Sequence, residues 1–367
     1  MERTRRVFLS LLPAAGFSSG AEKGPVARQA SVVPSEIKRY LDPSTEFPVL
    51  RLTDPSHTSI LPASYGRAVS RRGNWILYSS NRSGAFHVYR MDLKSGQSRQ
   101  LTDLQELEPS SVTMTGDERS MFLMAARSVR QVNLASLRSR EVYRIPAGFE
   151  QGSGFSVSED GAYAAFVEKR AAAYRLRLLN VAGGAATTVV ESPEAISDPV
   201  PRPKRAGILY RVASRELHVV NFDGAQNQRL RIAPGGLGPA VWSQDGRTVD
   251  YLNIPENRKQ LNNIREFTPD SNEDRMIAGT SQFVQFGRNS DSSVFVGASG
   301  SKATPFVLLL VAAVKRELTM CEHKASDPRQ VAPIFAPNSQ RIFFQTDRHG
   351  KLAIYSMLVE RFVEETA

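Results

Sequence analysis

One pattern runs through nearly the whole chain: a turn, an apolar β-rich run, a polar turn, a second run, a polar turn and a third run. It begins at Ser70 (SRRGNWILYSSNRSGAFHVYRMDLKSGQSRQLTD), Thr115 (TGDERSMFLMAARSVRQVNLASLRSREVYRIP), Ser158 (SEDGAYAAFVEKRAAAYRLRLLNVAGGAATTVV), Pro203 (PKRAGILYRVASRELHVVNFDGAQNQRLRI), Ser243 (SQDGRTVDYL), Asn289 (NSDSSVFVGA) and Ala336 (APNSQRIFFQ). The starts lie about 40 to 47 residues apart, the length of one four-stranded propeller blade. β-branched and aromatic runs bounded by Gly, Asn, Asp and Ser are strand and turn signals. Seven copies predict an all-β chain folded as a seven-bladed β-propeller.

The last copy is incomplete. Copy one ends in a third run, Arg99-Gln100-Leu101-Thr102-Asp103, whereas copy seven stops after its second, Ala353-Ile354-Tyr355-Ser356-Met357. The missing signature stands ahead of the repeats as Leu50-Arg51-Leu52-Thr53-Asp54. The N-terminal strand is therefore expected to complete the seventh blade beside Phe343 and Ile354, closing the ring and removing the edges an open array would expose. Residues 31–40 should then lie outside the ring as a lead-in, with the only helix beyond the N-terminal signal near residues 34–40.

The first residues, MERTRRVFLS, carry an arginine pair ahead of a short apolar run, LLPAAGF, and small residues at 18–21. This resembles a twin-arginine export signal, an address rather than part of the fold. The expected organisation is a signal at 1–21, a lead-in at 22–44, the propeller at 45–360 and a C-terminal tail at 361–367, in a periplasmic or secreted protein. No segment reaches membrane-spanning length, and the strongly apolar residues 306–314 read as a buried strand.

Charge and motifs narrow the function. The formal net charge is +10 with a pI near 9.8. The surplus is spread along the chain with a local cluster at Arg202, Lys204, Arg205, Arg211 and Arg215, read as solvated surface. It lacks the interleaved aromatic and basic residues of a nucleic-acid module but suits a polyanionic partner such as an acidic polysaccharide. The single cysteine, Cys321, excludes an internal disulfide and a cysteine-based zinc site, and reads as a buried strand thiol. Nucleophile-elbow, phosphate-loop and H-E-x-x-H motifs are absent from the sequence.

The S-x-D-G turns, the S-x-R-x-G turn at Ser80 to Gly84 and its counterpart at Thr346 to Gly350 resemble the TolB-like propellers of bacterial envelopes. Within that group, RLTDP near the start, LYSSNRSGAFHVYRMDLKSGQSRQLTD and FAPNSQRIFFQTDRHGKLAIYSM look most like the oligogalacturonate lyase family, over roughly residues 45–360. The resemblance implies β-elimination on short pectin-derived uronic-acid oligomers. In that chemistry a manganese ion in the central channel neutralises the substrate carboxylate, and a basic side chain removes the C5 proton. The family's ligands are mainly histidines with a glutamine, a set suited to a first-row divalent ion.

This chain departs from that ligand set. Gln330-Val331-Ala332-Pro333 occupies the place of the family's His-Pro-His-Pro element, and Ser281-Gln282 that of another histidine. The chain has five histidines in all. His87 and His218 fall in alternating runs and read as strand residues; His57 and His349 fall in turns and read as solvated. His323 is the one imbalance in favour of a ligand, because it precedes the final blade. The resemblance thus nominates His323, Gln330, Gln282 and Arg348 as substrate-binding residues, with no manganese site and catalysis impaired. Two functions stay open: an exported lyase-type propeller taking oligogalacturonate, and a non-catalytic scaffold for an envelope protein.

Overall fold

A computed structural model describes residues 31–171, 173–257 and 259–359; the expected signal at 1–21 and the expected tail at 361–367 lie outside the described residues. The described residues form seven antiparallel sheets of four or five strands. Their only helical segments are two 3-10 turns, Pro109–Ser111 and Pro328–Gln330. The first blade runs Ser59–Ile60, Trp75–Ser80, His87–Asp92 and Ser98–Gln100. The third has a longer innermost strand, Glu150–Val157, followed by Tyr163–Arg170, Ala173–Asn180 and Ala185–Ser192. Each repeat read from sequence therefore starts at the turn after an innermost strand, one strand into its blade.

The S-x-D-G turns show why the repeat is visible. In the third blade the Ser158 hydroxyl donates to Asp160 at 2.6 Å and accepts from the Tyr163 amide at 3.0 Å. Asp160 accepts from the Ala162 amide at 2.9 Å, and Gly161 sits at φ +74°, where a Cβ would meet Thr115 of the preceding blade at 2.7 Å. Ser243 and Asp245 repeat these contacts in the fifth blade. The hydrogen bonds hold both aspartates below the usual carboxylate range.

The ring closes as the repeat count requires. Pro48–Arg51 pairs with Ala353–Leu358, with Leu50 opposite Ser356 and Arg51 opposite Tyr355. The Leu52 amide then donates to Ile354 O at 2.7 Å, and the Thr53 hydroxyl accepts from the Ile354 amide at 2.9 Å. The lead-in differs from expectation. Lys38–Leu41 is a strand that pairs with Pro48–Arg51 as a fifth strand of the seventh blade, and Val32–Val33 does the same for the first blade beside Ser98–Gln100. The reason is that an outer strand leaves a row of backbone groups unpaired, and a further strand satisfies them where a helix could not.

The core lies between blades. One apolar cluster joins Val296 and Leu309 of the sixth blade to Phe344 and Tyr355 of the seventh. Another joins Leu52, Phe343 and Ile354 to Tyr78 and Tyr89 of the first. Each layer is shared by two neighbours, so no blade buries its faces alone.

One inter-blade contact is ionic. Asp250 of the fifth blade is fully buried; its Oδ2 accepts from Ser292 at 2.8 Å and lies 3.9 Å from Arg288 Nε, while Oδ1 has no partner. Burial lifts its carboxyl to about 6 against an ordinary 3.8. The folded state therefore holds this proton more tightly than the unfolded state does. Its contribution is full below the ordinary value and is lost as pH rises through about 6, a swing on the order of 3 kcal/mol. Asp250→Asn should flatten the fall in stability between those limits, read by urea unfolding at several pH values; an unaltered slope would refute the assignment.

Candidate functional site: the central channel

The innermost strands line a central channel. They all enter from one mouth, called upper here, and all reach their S-x-D-G-type turns at the other, the lower mouth. Gln282 and Gln330 precede the innermost strands Phe283–Arg288 and Ile334–Phe335, so both stand at the upper mouth. Both are exposed. Gln282 sits at φ +64°, and its carbonyl accepts from the Gly300 amide at 2.8 Å. Gln330 ends a 3-10 turn, and its carbonyl accepts from the Gln345 side chain at 2.7 Å.

The other two nominated residues are not with them. His323 is wholly buried where the outer strand of the sixth blade crosses to the seventh. Its Nε2 donates to Ser299 O at 3.0 Å, and its Nδ1 accepts from the Ala325 amide at 3.0 Å. Both nitrogens are used, and burial holds the ring neutral by lowering its pKa. Arg348 is likewise structural: its guanidinium donates to Glu322 O, lies 3.7 Å from the Asp42 carboxylate and stacks over Tyr40 at 5.3 Å. His349, expected in solvent, is pinned through Nδ1 to the Tyr355 hydroxyl at 2.7 Å and packs edge-on against Tyr40. The fifth strand at Lys38–Leu41, which the sequence did not reveal, delivers Tyr40 and so captures both Arg348 and His349.

Two further histidines are engaged within their blades. His87 is buried, with Nδ1 accepting from Leu104 at 3.4 Å, and His218 pairs with Glu216 at 3.1 Å. Cys321 is buried, and its desolvation pushes the thiol up, away from the reactive thiolate. Among the described residues no group of three or more His, Cys, Asp or Glu side chains forms a metal site. Of the residues nominated by the resemblance, the two at the upper mouth are neutral amides, and His323 has no free nitrogen. Manganese does not fit this set.

What the channel does contain is a triad from two blades, the first and the fourth. Asp198, on the fourth innermost strand Ile196–Pro201, binds Arg211 at 3.2 Å, and the Arg211 guanidinium also donates to Gly238 O in the fifth blade. Tyr65, from the long segment between the first two strands of the first blade, sets its enclosed hydroxyl against Asp198 and the Phe155 backbone. Burial raises the Tyr65 pKa, so the phenol keeps its proton; burial also lowers that of Arg211. Asp198 occupies a left-handed backbone conformation, φ +48°, inside a bulge between Ser197 and Val200. Such strain in a non-glycine residue costs about 1–3 kcal/mol and concentrates at functional sites. The Asp198 side chain is still 41% exposed, against 12% for Arg211.

Arg211 therefore leaves the solvated cluster to which its position in sequence assigned it. Arg202 leaves it too, paired with Asp270 at 3.0 Å and stacked on Trp242 at 5.0 Å. The sequence signal that could have found Arg211 was its place in an apolar strand, ILYRV, where a charge needs a partner. No sequence signal marked Tyr65 or Asp198. Together the three offer a positioned guanidinium for a carboxylate, a carboxylate acceptor for a hydroxyl, and a phenol donor.

Comparison with known proteins agrees with this architecture. The family model described as Pectate_lyase22, oligogalacturonate lyase, matches residues 28–175. The chain is 21% identical to an oligogalacturonide lyase of Pectobacterium atrosepticum, over 88% of this chain and 96% of that one. It is also 21% identical to an oligogalacturonate lyase of Dickeya dadantii, over 86% and 94%. A solved structure of an oligogalacturonate lyase in complex with manganese superposes with a TM-score of 0.84 at 21% identity, covering 90% of this chain and 98% of that one. At that identity the superposition shows the shared fold. By family signature over residues 28–175, and by sequence and fold over most of its length, this seven-bladed propeller resembles the oligogalacturonate lyases.

Proposed function

We propose that this protein binds pectin-derived acidic oligosaccharides at the upper mouth of its channel without a resident manganese ion, and that β-elimination is impaired in it. The observation that carries this reading is His323: the one imidazole next to the place of the family's metal ligands spends both nitrogens inside the wall. β-Elimination removes the C5 proton, turns the C5–H electron pair into a C4=C5 double bond, and expels the glycosidic oxygen from C4 with a proton. Its difficulty is the charge that develops on the carboxylate flanking C5, which a metal ion ordinarily offsets by several kcal/mol. Here a buried guanidinium, already shared with Asp198, would carry that task alone. Binding is less demanding. Arg211 pairs a uronate carboxylate, Asp198 accepts from a sugar hydroxyl, and the basic surplus draws the polyanion in.

The N-terminal arginine-pair signal supports a place in the periplasm or outside the cell, where pectin fragments are met. Three measurements on purified protein test the reading. Metal analysis should find no stoichiometric manganese. Digalacturonate should yield little ultraviolet-absorbing unsaturated product, with or without added manganese. Oligogalacturonate affinity should fall with added salt and by about tenfold or more in Arg211→Gln. Strong product formation with chelator-resistant manganese would sink the metal-free reading. Salt-insensitive affinity, or none, would favour the envelope scaffold.

A further inference from the structure

Below Tyr65 the channel opens again at the lower mouth, as a cavity of about 540 Å³, within the roughly 300–1,000 Å³ that small-ligand sites occupy. Its walls include Trp242, Val200 and Phe335, and its cationic lining is Arg67, Arg71, Lys204 and Arg288, against one acid, Glu159.

These cations differ in how far they are compensated. Arg288 is bound, donating to Trp242 O at 3.1 Å and to the Ser292 hydroxyl at 2.8 Å, beside Asp250. Arg67 is held by a bond to Glu159 O at 3.2 Å, but the Glu159 carboxylate stays 3.9 Å away. Burial lowers the Arg67 pKa; the Glu159 charge opposes this, and the neighbouring Arg71 charge adds to the lowering. Among the described residues neither the Arg71 nor the Lys204 side chain forms an ion pair, although the Arg71 amide donates to the Glu118 carboxylate and the Lys204 charge acts on Asp245. A pocket of mixed polar and apolar lining whose rim carries four cations against one acid is complementary to an anion.

We infer that the lower mouth is a second binding site, separate from the upper one, for a small organic anion bearing a carboxylate or phosphate. The anion lies between Arg67, Arg71 and Lys204, and its body packs on Trp242 and Phe335. Tyr65, locked against Asp198 above, separates this site from the upper channel. The inference does not depend on the upper mouth binding oligosaccharide.

Trp242 lines the cavity and is one of only two tryptophans, the other being Trp75 in the first blade. In a Trp75→Phe background its fluorescence reports on this site alone. Sodium galacturonate and inorganic phosphate are titrated separately at constant ionic strength, with chloride as the control. The expected result is a saturable change with one or both anions, weakened about tenfold by Lys204→Glu and by Arg67→Gln, while oligogalacturonate affinity at the upper mouth in Lys204→Glu stays as in the parent. Saturation by galacturonate alone identifies a sugar acid, and by phosphate alone a phosphorylated ligand. Lys204 lies in an exposed turn, so its variant tests the site even if Arg67→Gln fails to fold. No saturable response to either anion, or one that Lys204→Glu leaves unchanged, overturns the inference.

Discussion

Leu52→Asp is expected to open the ring and leave most of the protein unfolded. Leu52 is 1% exposed and packs with Tyr78, Phe343 and Ile354 where the first and seventh blades meet. Its amide continues the ladder through which the N-terminal strand completes the seventh blade. Removing its apolar contacts costs about 2–5 kcal/mol, and an unpaired carboxylate in their place adds to that. The total is comparable to the whole stability of an ordinary domain, about 5–15 kcal/mol. Val32→Asp, on the exposed fifth strand of the first blade at 61% exposure, should change stability by no more than about 0.5 kcal/mol. Urea unfolding and size-exclusion chromatography read both. A Leu52→Asp protein as compact and stable as the parent would mean that the chain ends do not hold the ring.

His323→Ala should lower stability by about 2–4 kcal/mol, since it leaves the Ser299 carbonyl and the Ala325 amide without partners and opens a void at a fully buried position. Thr346, which donates to His323 O at 2.6 Å, ties the same crossing to the seventh blade. The protein that does fold should keep its oligogalacturonate affinity and its metal content. A ligand histidine would behave in the opposite way, with intact stability and lost binding. His323→Gln, able to replace one of the two hydrogen bonds, should fall between the parent and the alanine variant. Denaturant melts of all three, set beside titration with oligogalacturonate, separate the two roles.

The fold was legible and the site only half so. The turns at Ser158 and Ser243 advertise each blade because the same serine and aspartate must bond the same backbone amides every time. The truncated last copy and the orphan Leu50 to Asp54 run told where the chain ends meet. Gln282 and Gln330 stand at one mouth because each precedes an innermost strand, an order the sequence shows directly. His323 and Arg348 were misplaced because neighbouring positions at the end of a blade point alternately into the channel, the wall and solvent. Only the tertiary contacts settle which: Tyr40 and Asp42 hold Arg348, and Ser299 and Ala325 hold His323.

Sequence alone determined the blade count, the closure and the poverty of metal ligands, since each follows from local hydrogen-bonding patterns or from the residue types present. The tertiary structure decided the binding groups. Tyr65 comes from the segment between two strands of the first blade and Asp198 and Arg211 from two strands of the fourth, while Arg67 and Arg71 come from the first blade and Lys204 from a turn of the fourth. Their meeting depends on how far each innermost strand reaches into a ring that closes only after the last blade is made. Bringing charges together in this way also requires burial that no single blade can supply, so the shifted titration of Tyr65, Arg67 and Arg211 and the strained backbone of Asp198 arise only in the closed propeller.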